Sequence, residues 1–172
     1  MTIRQEMQKD YDEVYELVKV SFATSSHSDG TTPDYLNQVR MRNTFIPELS
    51  LVTENDIGKV IGQIVLYEMN IISTEAKIKE LLLSPICVHP DYFHRGIARA
   101  MIKEAFSIAK KLGYKAVFLC GNPELYKKFG FIPSFKYNIF HISDTSKEAE
   151  WCMAYELIKD SLKGITGTID IV

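Results

Sequence analysis

The stretch that decides the fold is Ile86–Arg99, which reads ICVHPDYFHRGIAR. It begins with the apolar residues of a strand, turns at Pro90, and enters a long helical pattern at Gly96. Helices usually begin with Asp or Glu, because the amides of the first turn carry partial positive charge. Here the basic residues His94, Arg95 and Arg99 occupy the first turn instead. We therefore expect an external anion, such as a phosphate group, to bind at this helix start.

A strand–helix–strand unit surrounds this stretch. The helix is predicted over Gly96–Leu112, with an apolar stripe at helical spacing and Gly113 as its C-terminal cap. A β-rich segment, Lys115–Cys120, follows it, and a helix that joins two strands of one sheet implies that these strands run parallel. Pro85 lies in the strand before the helix and cannot donate to a ladder, so it marks an edge, a bulge or a point where the ladder parts.

The flanking segments predict two further helices and an antiparallel part of the sheet. Before the central unit we predict a strand at Thr2–Glu6, a helix capped by Asp10, a helix over Pro33–Arg42, and strands at Leu49–Glu54, Lys59–Met69 and Ile78–Val88. After it we predict a short helix at Glu124–Phe129, strands at Phe135–Phe140 and Cys152–Ile158, and a tail, Ile165–Val172, that pairs as a last strand. No repeat or boundary divides the chain. Residues 1–172 are therefore predicted to form a single α/β (α+β) domain, in which helices flank a mixed sheet.

Composition excludes several classes of protein. The chain has 172 residues, of which 46% are hydrophobic and 24% charged, and its net charge is −2. These values are typical of a globular protein and remove the usual electrostatic reason for a nucleic-acid partner. No apolar run reaches the length of a membrane span, and the N-terminal residues lack a signal core, so we expect a cytoplasmic protein without a membrane partner. The three cysteines form no CxxC pair, which favours buried apolar roles over a metal site or a disulfide.

Two motifs together resemble those of the GNAT superfamily of acyl-CoA-dependent N-acetyltransferases. The first is VxPxYxxRGIA over Val88–Ala98, and the second is LYxxFGF over Leu125–Phe131. Nearly the whole chain is similar to a subgroup of small bacterial and archaeal predicted acetyltransferases. The resemblance implies the GNAT acyl-CoA N-acyltransferase fold, acetyl-CoA as the acyl donor and no metal. It also implies transfer of an acetyl group, not an aminoacyl group, to a primary amine of a small molecule or protein. The chain departs from the family pattern at Phe93, where Gln or Arg is usual, and at Leu82, where some members carry a glutamate base.

The resemblance also assigns roles to residues of this chain. The pyrophosphate of coenzyme A is expected on the amides of residues 94–99, and its pantetheine arm along residues 86–88 and near Asn122. Tyr126 is expected to be the acid that protonates the leaving thiolate, since a tyrosine with an ordinary pKa of about 10 is protonated at neutral pH. The full set of predicted cofactor contacts is Ile86, Cys87, Val88, Phe93, His94, Arg95, Gly96, Ile97, Ala98, Arg99, Asn122 and Tyr126.

The remaining parts of the site stay open at the level of sequence. Glu68, Glu80, Ser84, His89 or a water chain could serve as the general base. The acceptor is expected to contact Thr24–Thr32 and the last strands, without further definition. A non-catalytic module that binds or senses acyl-CoA is the alternative function. A nucleotide-binding protein of another class is disfavoured, because neither GxGxxG nor GxxxxGK[ST] occurs. Either a monomer or a homodimer is compatible with the sequence.

Overall fold

The computed structural model describes residues 1–25 and 28–171. The helices are α1 (Tyr11–Phe22), α2 (Thr32–Arg40), α3 (Ile97–Lys111) and α4 (Pro123–Tyr126). The strands are β1 (Thr2–Gln5), β2 (Phe45–Glu54), β3 (Val60–Ile72), β4 (Lys77–Val88), β5 (Ala116–Cys120), β6 (Ile132–Pro133), β7 (Ile139–His141), β8 (Cys152–Glu156) and β9 (Gly167–Ile169). Ser26 and His27, in the predicted acceptor loop, and Val172, at the end of the predicted tail, lie outside the described residues.

The strands form one mixed sheet, in the order β1-β2-β3-β4-β5-β8-β6. β1 pairs antiparallel with β2, and β2 with β3. β4 and β5 run parallel, as the sequence predicts for strands joined by α3. β8 is antiparallel to both β5 and β6. β9 joins β3 in antiparallel and β7 in parallel orientation, which confirms a last strand in the C-terminal tail. The predicted α/β fold class is thus confirmed.

The chain packs into two compact units that interleave along the sequence. The first contains Met1–Tyr67 and Ser84–Ile108, and the second contains Glu68–Leu83 and Ala109–Val172. In the first unit, α3 lies close against β3 at Gly62. A Cβ atom at this glycine would come within 3.1 Å of Met101 and 3.2 Å of Ile97, closer than most side-chain contacts. The prediction of a single domain over residues 1–172 stays a prediction.

A buried ion pair fastens α2 to the start of the chain in the first unit. The side chains of Arg40 and Glu6 are only 4% and 1% exposed. Arg40 donates from Nε to Glu6 Oε2 at 3.1 Å, and Ser50 donates from Oγ to the same oxygen at 2.7 Å. The guanidinium also lies 4.0 Å from the centre of the Tyr11 ring. The start of the chain, α2 and β2 therefore meet at one charge pair, with the carboxylate accepting from Arg40 and Ser50.

A buried carboxylate joins β4 to β5 in the second unit. Glu80 is 4% exposed, and its Oε2 accepts from the backbone amides of Lys115, at 3.0 Å, and Ala116, at 2.8 Å. Burial raises the pKa of this carboxyl group, while the two amides act in the opposite direction. Within this unit the parallel ladder contains the pairs Leu81 with Val117 and Leu82 with Phe118.

One expected strand was wrong, and another begins earlier than predicted. The predicted strand Phe135–Phe140 is instead a 3₁₀ helix, Ser134–Tyr137, followed by the short β7. Asn138 separates them in the left-handed conformation, with φ of 60°, which interrupts an extended chain and is favourable for asparagine. β2 begins at Phe45 rather than Leu49, with a register irregularity between Phe45 and Ser50 that breaks the alternating pattern.

We predict that Glu6→Gln lowers the free energy of unfolding by about 3–5 kcal/mol, because it leaves the buried Arg40 guanidinium without its counter-charge. Urea denaturation at neutral pH measures the change. Asp56→Asn is the matched control, since Asp56 pairs with the terminal ammonium at 2.6 Å but its side chain is 94% exposed. Equal effects of the two substitutions would contradict the prediction.

We predict that Glu80→Gln leaves the protein at least as stable as the wild type at pH 7. The amide oxygen of glutamine can still accept from the two backbone amides but avoids the penalty of a buried charge. Because the folded pKa of Glu80 lies above its ordinary value of 4.5, the wild type should lose stability relative to the variant as pH rises from that value. Thermal melts of both proteins at a series of pH values from about 4 to about 7 would measure this loss of relative stability.

Glu80→Ala is the control for this experiment. It removes the acceptor and leaves two amides without their partner, at a cost of about 1–3 kcal/mol. Were Glu80→Gln to be as destabilising as Glu80→Ala at every pH, the charge itself would be required for stability and the prediction would be wrong.

Candidate functional site

The loop before α3 is held by hydrogen bonds within the first unit. The amide of His89 donates to the carbonyl of Ile61 at 2.8 Å, which anchors the loop to β3. A 3₁₀ turn, Pro90–Tyr92, follows, and the His89 ring accepts from the Asp91 amide through Nδ1 at 3.2 Å. Tyr92 accepts a hydrogen bond from Asn55 Nδ2 at 3.1 Å through its hydroxyl oxygen. The conformation of the loop is therefore fixed by residues of β3, the β2–β3 turn and the loop itself.

Two left-handed residues turn the chain into α3. His94 has φ of 61° and Gly96 has φ of 77°. The first helical bond runs from the amide of Ala100 to the carbonyl of Gly96 at 3.0 Å. Among residues 1–25 and 28–171, no backbone carbonyl accepts from the amides of residues 94–98. The first turn of α3 also contains no acidic side chain. Such a cluster of amides at a helix N-terminus is suited to binding an anion.

Arg95 adds positive charge beside these amides. Its guanidinium donates from Nη2 to the carbonyl of Asp91 at 3.1 Å and lies 4.9 Å from the centre of the Tyr92 ring. These contacts orient the side chain without neutralising it, because a carbonyl and a ring carry no net charge. The predicted residues His94, Arg95, Gly96 and the start of α3 are thus brought together in one loop.

The residues predicted to contact the pantetheine arm, Ile86–Val88, form the end of β4 in the same unit. Ile86 and Val88 are partly exposed, while Cys87 is buried and burial raises the pKa of its thiol to about 12. This thiol is protonated at neutral pH, in agreement with the predicted packing role. The carbonyl of Val88 accepts from Ser21 Oγ at 3.1 Å, a contact between β4 and α1 that the sequence pattern did not reveal.

The second unit positions Tyr126 on α4. Asn122 caps this helix, because its Oδ1 accepts from the amide of Glu124 at 3.0 Å. The Tyr126 ring packs edge-on against Phe131, with centroids 6.0 Å apart. A Cβ atom at Gly121 would lie 2.5 Å from Cε2 of Tyr126, so only glycine allows the ring to occupy this position. In the sequence, Gly121 before Asn-Pro indicates only a turn. Its close approach to Tyr126 could not be predicted from that pattern.

The hydroxyl group of Tyr126 has no hydrogen-bond partner in the described part of the chain. Burial raises the pKa of this phenol above its ordinary value of 10.0. The group therefore stays protonated throughout the neutral range and can donate to a ligand atom. A general acid must carry its proton before the reaction and have a hydroxyl that can reach the ligand without first breaking another hydrogen bond, and Tyr126 meets both conditions within the described residues.

The candidate bases occupy defined positions. Glu68 accepts from the Tyr114 hydroxyl at 2.8 Å, and Glu80 accepts from the backbone amides of β5 described above. His89 caps the 3₁₀ turn of the loop, and Ser84 is half-buried in β4. Both glutamates therefore hold structural hydrogen bonds within the second unit. Across the described ranges, no group of three or more His, Cys, Asp or Glu side chains could hold a metal ion, and no helix has the length and apolar character to cross a membrane.

Comparison with known proteins connects these features to a family. The model of the acetyltransferase (GNAT) domain matches residues 47–133. This range includes β3, β4, α3, β5, α4 and the loop of residues 89–96 before α3, which contains His94 and Arg95 and is called the basic loop below. The uncharacterised N-acetyltransferase YhbS of Escherichia coli strain K12 is 27% identical over 122 residues, which is 71% of each chain.

Solved structures share the fold. A crystal structure of YhbS from Escherichia coli in complex with CoA has a TM-score of 0.86 at 23% identity and covers 99% of this chain and 89% of its own. A GNAT family acetyltransferase from Brucella melitensis, crystallised with acetyl-CoA, has a TM-score of 0.77 at 21% identity and covers 99% and 95%. Since the family model spans half of the sequence and includes both motifs, this chain belongs to the GNAT superfamily of N-acetyltransferases.

Proposed function

We propose that this N-acetyltransferase binds acetyl-CoA at the basic loop before α3 and transfers the acetyl group directly to a primary amine. The observation that carries the proposal is the cluster of amides at residues 94–98, which a helix start without acidic residues leaves available to an anion. Complexes of YhbS with CoA and of the Brucella protein with acetyl-CoA support the same ligand for this chain.

The cofactor would be held by two parts of the first unit. The pyrophosphate would accept hydrogen bonds from the amides of residues 94–99, with charge from Arg95 and Arg99 added. The pantetheine arm would lie along the backbone of Ile86–Val88, in the manner of an added strand. Phe93, where the family usually has Gln or Arg, is 47% exposed. Since the expected phosphate contacts come from backbone amides, this replacement does not remove them.

Asn122 was predicted to contact a pantetheine amide. Its Oδ1 already accepts the hydrogen bond that caps α4. Its side-chain NH₂ group therefore remains to donate to a carbonyl of the pantetheine arm. For the pyrophosphate and for the pantetheine arm, the proposed contacts are mainly backbone groups and hydrogen-bond donors. Such contacts suit a ligand rich in amide and phosphate oxygens.

Tyr126 is proposed as the general acid. Attack of the neutral amine on the thioester carbonyl forms a tetrahedral intermediate, the C–S bond then breaks, and the departing thiolate takes the phenolic proton. The supporting observations are that Tyr126 is protonated at neutral pH, that its hydroxyl is uncommitted within the described residues, and that it belongs to the LYxxFGF motif. The proton lost by the amine passes to water or to a base; the structural roles of Glu68 and Glu80 favour a water chain over either carboxylate.

Two assays test the function directly. Release of free thiol from acetyl-CoA with a panel of small and peptide amines tests transfer, and calorimetric titration of acetyl-CoA against ATP and NAD tests the choice of cofactor. Saturable binding of acetyl-CoA together with amine-dependent thiol release is expected. Binding without turnover on any amine would favour the sensing module, and absence of acetyl-CoA binding would overturn the proposal. A cytoplasmic location and the choice between monomer and homodimer stay predictions.

We predict that Arg95→Gln raises the Kd for acetyl-CoA about tenfold, because it removes a charge-assisted contact with the pyrophosphate. Calorimetric titration measures the change, which should shrink as salt screens the charge. Lys103→Gln is the matched control, since it removes the same charge from the exposed side of α3. A similar loss of affinity in both variants would indicate a general effect of charge and contradict the prediction.

We predict that Tyr126→Phe lowers kcat by roughly 10²–10⁴ and leaves the Kd for acetyl-CoA nearly unchanged, because the proton donor is lost while the ring remains. Steady-state thiol release and calorimetry separate the two effects. Tyr137→Phe is the control, since it removes the same atom from a partly exposed tyrosine of the same unit. An unchanged kcat in Tyr126→Phe on a true substrate would show that another group protonates the thiolate.

A further inference from the structure

Two of the three cysteines face each other across neighbouring strands of the second unit. Cys120 is the last residue of β5, and its register partner on β8 is Cys152. Both are free thiols, with Cys120 exposed at the surface and Cys152 only 1% exposed. Neither thiol takes part in the proposed transfer reaction.

The backbone geometry at this pair suits a direct sulfur–sulfur bond. The amide of Gly121 donates to the carbonyl of Trp151 at 2.9 Å, so these two residues form a hydrogen-bonded pair of the antiparallel ladder. The adjacent pair, Cys120 with Cys152, is then a non-hydrogen-bonded pair, where Cα atoms approach to about 4.5 Å. Disulfides span Cα separations of about 4.4–6.8 Å, so the thiols can be joined without moving the strands apart.

The thiols also interact chemically. Hydrogen bonding to Cys120 lowers the pKa of Cys152, and the same interaction raises the pKa of Cys120. Ser134 donates from Oγ to Sγ of Cys152 at 3.2 Å, which adds to the stabilisation of a thiolate there. Cys152 thus loses its proton more readily than an isolated buried thiol would. The exposed Cys120 gives small reagents access to the pair.

We propose that Cys120 and Cys152 form an oxidation site that hydroperoxides convert into an intramolecular disulfide. One sulfur attacks the O–O bond of hydrogen peroxide and becomes a sulfenic acid, and the first water is released. The second sulfur then displaces the hydroxyl group, which leaves as the second water while the S–S bond forms. Two thiols and one peroxide therefore give one disulfide and two waters, and both electrons go to the peroxide.

The position of the pair gives the oxidation a local effect. Cys120 is followed at once by Gly121 and by Asn122, the cap of α4. A disulfide would tie this turn to β8 and restrict opening of the strand end. Hydrogen exchange of the amides from Gly121 to Tyr126 is therefore expected to slow in the oxidised protein. This inference does not depend on the proposed acetyl transfer.

The test treats the full-length protein with hydrogen peroxide and follows intact mass and thiol content. We expect a mass lower by two hydrogen atoms, a fall from three reactive thiols to one after denaturation, and recovery of all three with dithiothreitol. Peptide mapping should place the bond between Cys120 and Cys152. Cys87→Ser is the matched control and should still lose two thiols, because the register pairs Cys120 with Cys152 and leaves Cys87 out of the pair.

Substitution of either partner should abolish the mass change. Cys120→Ser is the safer variant, since this residue is exposed, and Cys152→Ser tests the buried partner. Three intact thiols after peroxide treatment, a disulfide that includes Cys87, a bond between two molecules, or oxidation to sulfinic acid without a disulfide would each overturn the proposal.

Discussion

The candidate site depends on one local constraint, the entry of the chain into α3. His94 and Gly96 both adopt left-handed conformations, and the turn they make leaves the amides of residues 94–98 without backbone acceptors among the described residues. The first turn of α3 has no acidic side chain to balance this partial positive charge. In the proposed function, an anionic ligand balances it. The anchoring of His89 to β3 and the contacts of Arg95 with the loop keep this arrangement in place before any ligand binds.

In the second unit, a single glycine has a comparable role. The absence of a side chain at Gly121 lets the Tyr126 ring approach the end of β5, and Phe131 supports the ring from another side. Burial of the ring raises the pKa of the phenol, which keeps the proton available in the neutral range. The burial that accompanies this packing therefore also keeps the phenol protonated.

Buried polar groups of the fold are largely committed to holding elements together. Glu6 binds Arg40 and Ser50, and Glu80 binds the amides at the start of β5. Since a buried carboxylate that is satisfied by several donors is costly to move, these groups are poorly suited to exchange protons with a substrate. The thiols of Cys120 and Cys152 differ, because they interact chiefly with each other at the surface-exposed end of a strand.

The sequence by itself determined the family, the fold class, the parallel β4–β5 unit and the basic loop, because these depend on local periodicity, turn residues and a motif of contiguous residues. It did not determine β7 or the start of β2, where a left-handed Asn138 and an irregular register interrupt the local pattern. Only the tertiary structure showed which carboxylates hold structural hydrogen bonds and that Cys120 is paired with Cys152 across neighbouring strands. Those facts depend on partners more than 30 residues away. The pairing of strands that do not follow one another directly in the chain brings these partners together, and a local sequence pattern does not say which strands will pair.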